Sequence, residues 1–212
     1  MDEARAWTTV EGVPRRGGVS AFGLSGTNCH VVVEEAPKSE ESPQSPGPHL
    51  LTLSAKGAEG LGVLISRYAL ALETLSGEDA GAICSTTNTG RGHYTHRLAI
   101  MGADREALLE RLRELSKQGP GAWSGADVWY GESSVQAEAE RSLREAGIRA
   151  EKAARAGEEE ERLAGLRELA SLYVKGMEVD WEGVYRGQGH WKVSLPAYPF
   201  ARTRCWMDFR KQ

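Results

Sequence analysis

The sequence predicts an α+β fold, a small three-stranded sheet covered by helices on one face, and three observations carry that prediction. Three short apolar runs, at residues 50–54, 97–101 and 127–130, have the length and composition of strands. Between the first two, residues 56–76 repeat apolar side chains at helical spacing through Leu61, Leu64, Ile65, Tyr68, Leu72 and Leu75. Between the last two, Asp104 stands as an N-cap before a helix over 105–117, with Leu108, Leu109, Leu112 and Leu115 turned inward. Strands interleaved with helices of this size form one sheet with a helical cover.

Each element follows in chain order. Residues 14–35 set a glycine-rich turn between two apolar segments, and the run from His30 to Val33 reads as a buried strand. Gly23 and Gly26 permit a left-handed backbone in the loop before it. Spacing excludes two chemistries here. No Lys follows the glycines as a phosphate loop requires, and Gly23-Leu24-Ser25-Gly26-Thr27 breaks the hydrolase elbow at its last place, so Ser25 is not a credible nucleophile. His30, with no carboxylate before Glu34, is expected as a hydrogen-bonded core histidine. Residues 37–48 are dense in Pro, Ser and Glu without a large apolar side chain, which makes a stiffened, solvated connector. Gly77 ends the first helix and Asp79 caps a short one over 80–86. Residues 134–169 are charged, with Val135, Leu143, Leu163, Leu166 and Leu169 as their few anchors, and the acidic run 158–161 reads as a solvated helix face.

The chain closes on residues 195–209, aromatic yet unable to form an element of their own. Pro196 and Pro199 fix φ and remove two backbone donors. Tyr198, Phe200, Trp206 and Phe209 carry apolar area that an extended segment buries only in grooves on a preformed body, with Arg202 and Arg204 lying along the edge. A ring fully buried contributes roughly 2 to 3 kcal/mol, so three of them rival the stability of a small domain. This segment is expected to act as a strap.

Composition bounds the function. The 212 residues are 40% hydrophobic and 26% charged, and 26 basic against 30 acidic residues leave a net charge of −4. That balance argues against nucleic acid, which requires a basic stripe, and favours a protein partner. No run approaches about 20 apolar residues, so no membrane span is expected, and residues 1–16 have no apolar region for export, which reads as cytoplasmic. Cys29, Cys84 and Cys205 are scattered outside any C-x-x-C, supporting neither a disulfide framework nor zinc. His93 and His96 form an H-x-x-H without a third ligand, so no metal or other cofactor is expected and independent catalysis is the weaker reading.

Residues 15–36, with the loop Gly26-Thr27-Asn28-Cys29-His30 leading into the valine run, resemble the C-terminal end of a polyketide-synthase ketosynthase. The resemblance implies that the backbone N–H of Leu24 helps form an oxyanion hole, with Phe22, Gly23, Gly26, Thr27 and Asn28 completing that wall of the active site in the intact enzyme. It also implies that the nucleophilic cysteine and two catalytic histidines lie upstream, and that Cys29, inside the closing motif, is not that nucleophile. Residues 88–99 resemble the loop into the second strand of the linker subdomain behind such ketosynthases. Residues 169–185 and the strap from Val193 resemble the segment that returns to the ketosynthase after an acyltransferase. No acyltransferase separates the two, which is the pattern of modules served by a trans-acting acyltransferase.

The fold expected is therefore a thiolase-fold remnant strand in residues 1–36, the connector 37–48, a linker or adaptor domain over 49–185 and a strap over 186–212. The function implied is a non-catalytic flanking domain that supports the ketosynthase of the same synthase and offers a docking surface to a trans-acting acyltransferase or acyl carrier protein. The alternative is part of a ketosynthase whose catalytic residues lie outside this chain, and Met1 followed at once by mid-domain sequence implies an excerpt of a longer polypeptide. The loop carrying Arg91, His93, Tyr94, His96 and Arg97 is the candidate docking surface, since it gathers donors and an aromatic on a glycine-flexed turn; the competing reading has Tyr94 and Arg97 pinning the loop to the second strand or the ketosynthase body. The strap, through Tyr198, Pro199, Phe200, Arg202, Arg204 and Trp206, is expected to cross the sheet toward the ketosynthase remnant and bury Tyr198, Phe200 and Trp206, with some of these rings left exposed because part of the ketosynthase groove is missing. Residues 1–36 are not expected to form an independent domain.

Overall fold

The computed structural model describes residues 7–8, 13–36, 45–75, 79–133, 137–202 and 204, with only the backbone of 137–143. Trp206 and Phe209 of the strap, Gly77, Cys205, Val135, the side chain of Leu143 and residues 37–44 of the connector lie outside the described residues. The chain divides into two compact units, Met1–Glu41 and Ser42–Gln212.

The first unit is a hairpin. Strands β1 (Arg16–Phe22) and β2 (Asn28–Glu34) pair antiparallel with Val19 opposite Val31. Sequence reasoning expected one strand here; the segment before the turn supplies a second, because its small residues Gly17, Gly18, Ser20 and Ala21 lie flat against a β-branched partner. Gly26 takes φ 88° in the tip, where the N–H of Gly23 donates to Thr27 O at 2.7 Å. His30 accordingly departs from the core expectation. Its Nδ1 is 2.8 Å from Ser20 Oγ, yet both are exposed, since two strands alone cover neither face.

The second unit holds the sheet. Its strands β3 (His49–Ala55), β4 (His96–Gly102) and β5 (Val128–Glu132) lie antiparallel in the order β3-β4-β5. Alternation along them sends side chains to opposite faces, and both faces are buried. Leu51, Leu53, Leu98 and Ile100 meet α1 (Ala58–Thr74), α3 (Arg105–Leu115) and the start of α2 (Ala80–Gly90). Leu50, Ala99 and Met101 meet α4 (Ala137–Ala154), α5 (Glu159–Val174) and α6 (Trp181–Tyr185). The cover expected on one face is thus present on two, because the charged segment folds into a helical pair. Small residues permit it: a Cβ on Gly165 of α5 would come within 2.4 Å of Ala154 N on α4. Leu166 and Leu169 anchor the pair in the core, and residues 158–161 stay exposed at the N-terminus of α5, where acidic side chains favour the helix dipole. Asp79 and Asp104 act as the expected N-caps, accepting from Ala82 N at 3.1 Å and Ala107 N at 2.8 Å.

Candidate functional site

The strap, the loop before β4 and the open edge of β3 converge on one another, and the convergence begins with an asparagine. Sequence reasoning stopped α2 at residue 86 and opened a loop at Asn88; the helix in fact runs to Gly90 and buries Asn88 against β3. Thr52 donates to Asn88 Oδ1 through its N–H at 3.0 Å and its hydroxyl at 2.8 Å, and Asn88 Nδ2 donates to Leu50 O at 2.8 Å. One amide therefore meets an N–H and a C=O two residues apart, as a neighbouring strand would, and closes an edge otherwise open to pairing. Its Nδ2 also donates to the Tyr185 hydroxyl at 2.9 Å, which joins α6 to the same point.

Beyond α2 the loop folds onto β3 through Ser54, whose hydroxyl donates to Gly92 O and accepts from Tyr94 N, both at 3.0 Å. The strap lies over this loop. Val193 N donates to Thr86 Oγ1 at 3.0 Å, Arg91 Nη2 donates to Leu195 O at 3.1 Å, and the Tyr198 hydroxyl accepts from Lys56 N at 3.1 Å. The Tyr198 ring packs 5.0 Å from that of Tyr94, and Phe200 packs 5.0 Å from Tyr198 on its other side. Beneath them a cavity of about 60 Å³ is lined by Thr52, Ser54, Tyr68, Arg91 and Tyr94. Small-molecule sites run to about 300 Å³ and more, so this space is a packing gap under the strap. Tyr198 and Pro199 are half-buried, and Phe200 is 77% exposed, one of the rings expected to stay open where the groove is incomplete.

The rest of the loop turns inward. His93 Nε2 faces Asn88 O at 3.0 Å, so it must carry the proton, and Nδ1 accepts from the Tyr173 hydroxyl at 2.9 Å. Burial lowers the pKa of this ring, the Asn88 carbonyl opposes that and the Arg97 charge adds to it. Burial likewise pushes the Tyr173 phenol up to about 12, although Arg97 pulls the other way. His96 takes a different partner, the Tyr130 hydroxyl at 2.9 Å, and stacks on that ring. Arg97 is 4% exposed and fully engaged. Nε donates to Tyr94 O at 3.0 Å, Nη1 to Tyr173 O at 3.2 Å and Met177 O at 2.8 Å, and Nη2 to Glu178 at 2.9 Å, while the guanidinium lies 4.9 Å from the Tyr173 ring centre. The Tyr173 and Met177 carbonyls stand at the C-terminal turn of α5. Gly176 at φ 105° and Met177 close that helix through Gly176 N to Tyr173 O and Met177 N to Leu172 O, a Schellman turn, and the arginine meets the negative end of the dipole.

The candidate docking residues Arg91, His93, Tyr94, His96 and Arg97 are thus brought together, with Arg91 and Tyr94 under the strap and Arg97 inside. Phe22, Gly23, Leu24, Gly26, Thr27 and Asn28 gather at the hairpin tip, all exposed, with Leu24 at its apex. Arg202 and Arg204 are exposed farther along the strap. Sequence reasoning missed Asn88 as a hub, because Thr86 and Thr87 before it weaken the helical pattern. It also missed the α5 terminus, although Lys175-Gly176 after a leucine-rich run is a stop signal.

A family profile described as CurL-like, PKS C-terminal, matches residues 49–112. The polyketide synthases PksL and PksR of Bacillus subtilis are similar to the chain at 33% and 30% identity over 97% and 93% of its length. The chain spans only 4% and 8% of those relatives. Among solved structures, the ketosynthase from module 6 of the bacillaene synthase of Bacillus subtilis matches 95% of this chain and 33% of its own with TM-score 0.62 and 28% identity. The oxazolomycin ketosynthase domain OzmH KS7 of Streptomyces albus matches 92% of this chain and 29% of its own with TM-score 0.58 and 31% identity.

Proposed function

This chain belongs to the polyketide synthases, as a ketosynthase C-terminal region of the trans-acyltransferase kind, and from that premise we propose that it is a non-catalytic flanking region that supports the ketosynthase. The strap carries this reading. It is anchored through Tyr198 on Lys56 and Tyr94, and it delivers the exposed Phe200 ring and the flanking Arg202 to a surface beyond the second unit. An exposed ring presented by a tethered segment is suited to a groove on a larger body. The exposed hairpin tip, Phe22 to Asn28, then serves as one wall of that body's active site, with the Leu24 N–H as oxyanion donor. The Arg91 to Arg97 loop acts first as the seat of the strap, because its polar groups are engaged within the chain. Docking of a trans-acting acyltransferase or an acyl carrier protein is the further part of the proposal, and it would use whatever of Arg91 and Tyr94 the strap leaves open.

Calorimetric titration of the full chain against its ketosynthase body, its acyltransferase and its carrier protein, each separately, tests the reading. Binding to the ketosynthase body that weakens about tenfold or more in Phe200→Ser, with an unchanged thermal midpoint, is expected. Equal affinity of wild type and variant overturns the strap's role. Binding of neither the acyltransferase nor the carrier protein reduces the chain to structural support.

A further inference from the structure

The sheet of the second unit has two edges, and they end differently. At β3 the outward N–H of Thr52 and C=O of Leu50 are taken up by Asn88. At β5 the ladder with β4 fixes which groups turn out. Asp127 O accepts from Met101 N at 3.0 Å and Ser133 N donates to Thr95 O at 2.8 Å, so residues 127, 129, 131 and 133 face β4. The backbone N–H and C=O of Val128, Tyr130 and Glu132 therefore point away from the sheet, and among the described residues nothing bonds to them. The strand Val-Trp-Tyr-Gly-Glu also has none of the devices that discourage pairing, neither proline, bulge nor lysine. Its charge is dipolar. Glu132 at one end is exposed and forms no ion pair among the described residues, whereas Asp127 at the other end holds two cations on one carboxylate, Arg111 at 3.5 Å and Arg167 at 3.3 Å.

We propose that β5 is a self-association strand: two copies of this chain pair it antiparallel about a two-fold axis at Tyr130 and join their three-stranded sheets into one. Period two selects the register. Outward groups must meet outward groups, so Tyr130 pairs with Tyr130 and Val128 with Glu132 of the other copy, each pair exchanging two N–H···O bonds. A slip of one residue sets outward groups against residues that face β4, and a slip of two loses one of the three pairs. The selected register also suits the side chains. It places the two Tyr130 rings opposite each other, a favourable cross-strand pair, and Trp129 opposite Gly131. Each Glu132 stands opposite Val128, one residue from Asp127 and its two arginines, so an uncompensated carboxylate meets an excess of positive charge and no like charges are opposed. The charge asymmetry that would hinder a parallel pair thus favours the antiparallel one, and this is what points to a second copy as occupant. Such a contact is isologous and closes on itself. The strap is untouched, since it seats at the β3 edge.

Sedimentation velocity of the full chain from about 1 to about 200 µM, the range over which a small contact becomes populated, tests this together with amide exchange followed residue by residue by NMR. A monomer–dimer equilibrium is expected, with the Val128, Tyr130 and Glu132 amides gaining about tenfold or more in protection as concentration rises while those of Trp129 and Gly131, already bonded to β4, stay constant. Glu132→Lys, which keeps the backbone and sets like charge beside Arg111 and Arg167, should weaken the dimer about tenfold or more. Glu132→Pro, which removes one outward N–H and no bond to β4, should weaken it as well. A monomer throughout the range overturns the proposal. So does a dimer in which the three amides exchange as fast as in dilute solution, because the contact then lies elsewhere, as on the hairpin valines or Phe200. Protection of the three amides that arises only on adding the ketosynthase body assigns the edge to that body and overturns it too.

Discussion

Three histidines whose proton affinity burial lowers, His49, His93 and His190, give the second unit its response to acid. Burial lowers the pKa of both His49 and His93 from the ordinary value near 6.5, outweighing the Asp79 attraction at His49 and the Asn88 carbonyl bond at His93. The folded state then binds fewer protons than the unfolded chain once pH falls below about 6.5. Their stabilising contribution is complete above that value and is lost as pH falls through the window toward the depressed folded values, before most carboxylates are protonated. The thermal midpoint should decline between pH 7 and pH 5, and His93→Gln, which keeps a donor and an acceptor, should flatten the decline whatever it does to the absolute midpoint. Differential scanning calorimetry reads both slopes; parallel slopes would remove His93 from the account. At this scale the sequence was informative about caps and silent about burial. Asp79 and Asp104 declare themselves by standing before apolar periodicity, whereas His93 lies in a glycine-rich stretch whose composition resembles an exposed turn.

Among the elements, the junction of β4 with the end of α5 depends on a single guanidinium. Arg97 meets three carbonyl oxygens and a carboxylate in a fork that an ammonium cannot reproduce. Arg97→Lys should therefore cost about 2 to 3 kcal/mol, because it leaves buried carbonyls without donors, and Arg97→Ala at least as much. Urea denaturation followed by circular dichroism measures the loss; a change under about 0.5 kcal/mol would show that water replaces the fork. The sequence placed the three strands within a residue or two and missed the helix pair that covers their second face. Strand-forming residues announce themselves in short apolar runs. The α4 and α5 seam is built from Ala150, Ala154, Gly165 and Ala170, whose small size brings backbones together without leaving an apolar stripe to read.

For the molecule as a whole, the two units differ in how well they are covered. Val31, Val32 and Val33 of the hairpin are 50%, 67% and 57% exposed, while Leu98 and Ile100 of β4 are fully buried. A lone two-stranded hairpin is marginal in water, so the β2 amides should exchange with solvent far faster than those of β4. Hydrogen exchange read by mass spectrometry distinguishes the units, and equal protection would show that the hairpin finds a cover. Described residues include no helix long and apolar enough to cross a membrane. The Tyr198 anchor also bears on synthesis. Its hydroxyl meets the Lys56 N–H across 142 residues of chain, and because the seat also needs Tyr94, at about 5 to 20 residues per second a ribosome takes roughly 5 to 21 s to pass from Tyr94 to Tyr198. During that interval the seat on Lys56 and Tyr94 is formed but uncovered, so the nascent chain presents its own docking groove to the cell before it owns the segment that fills it.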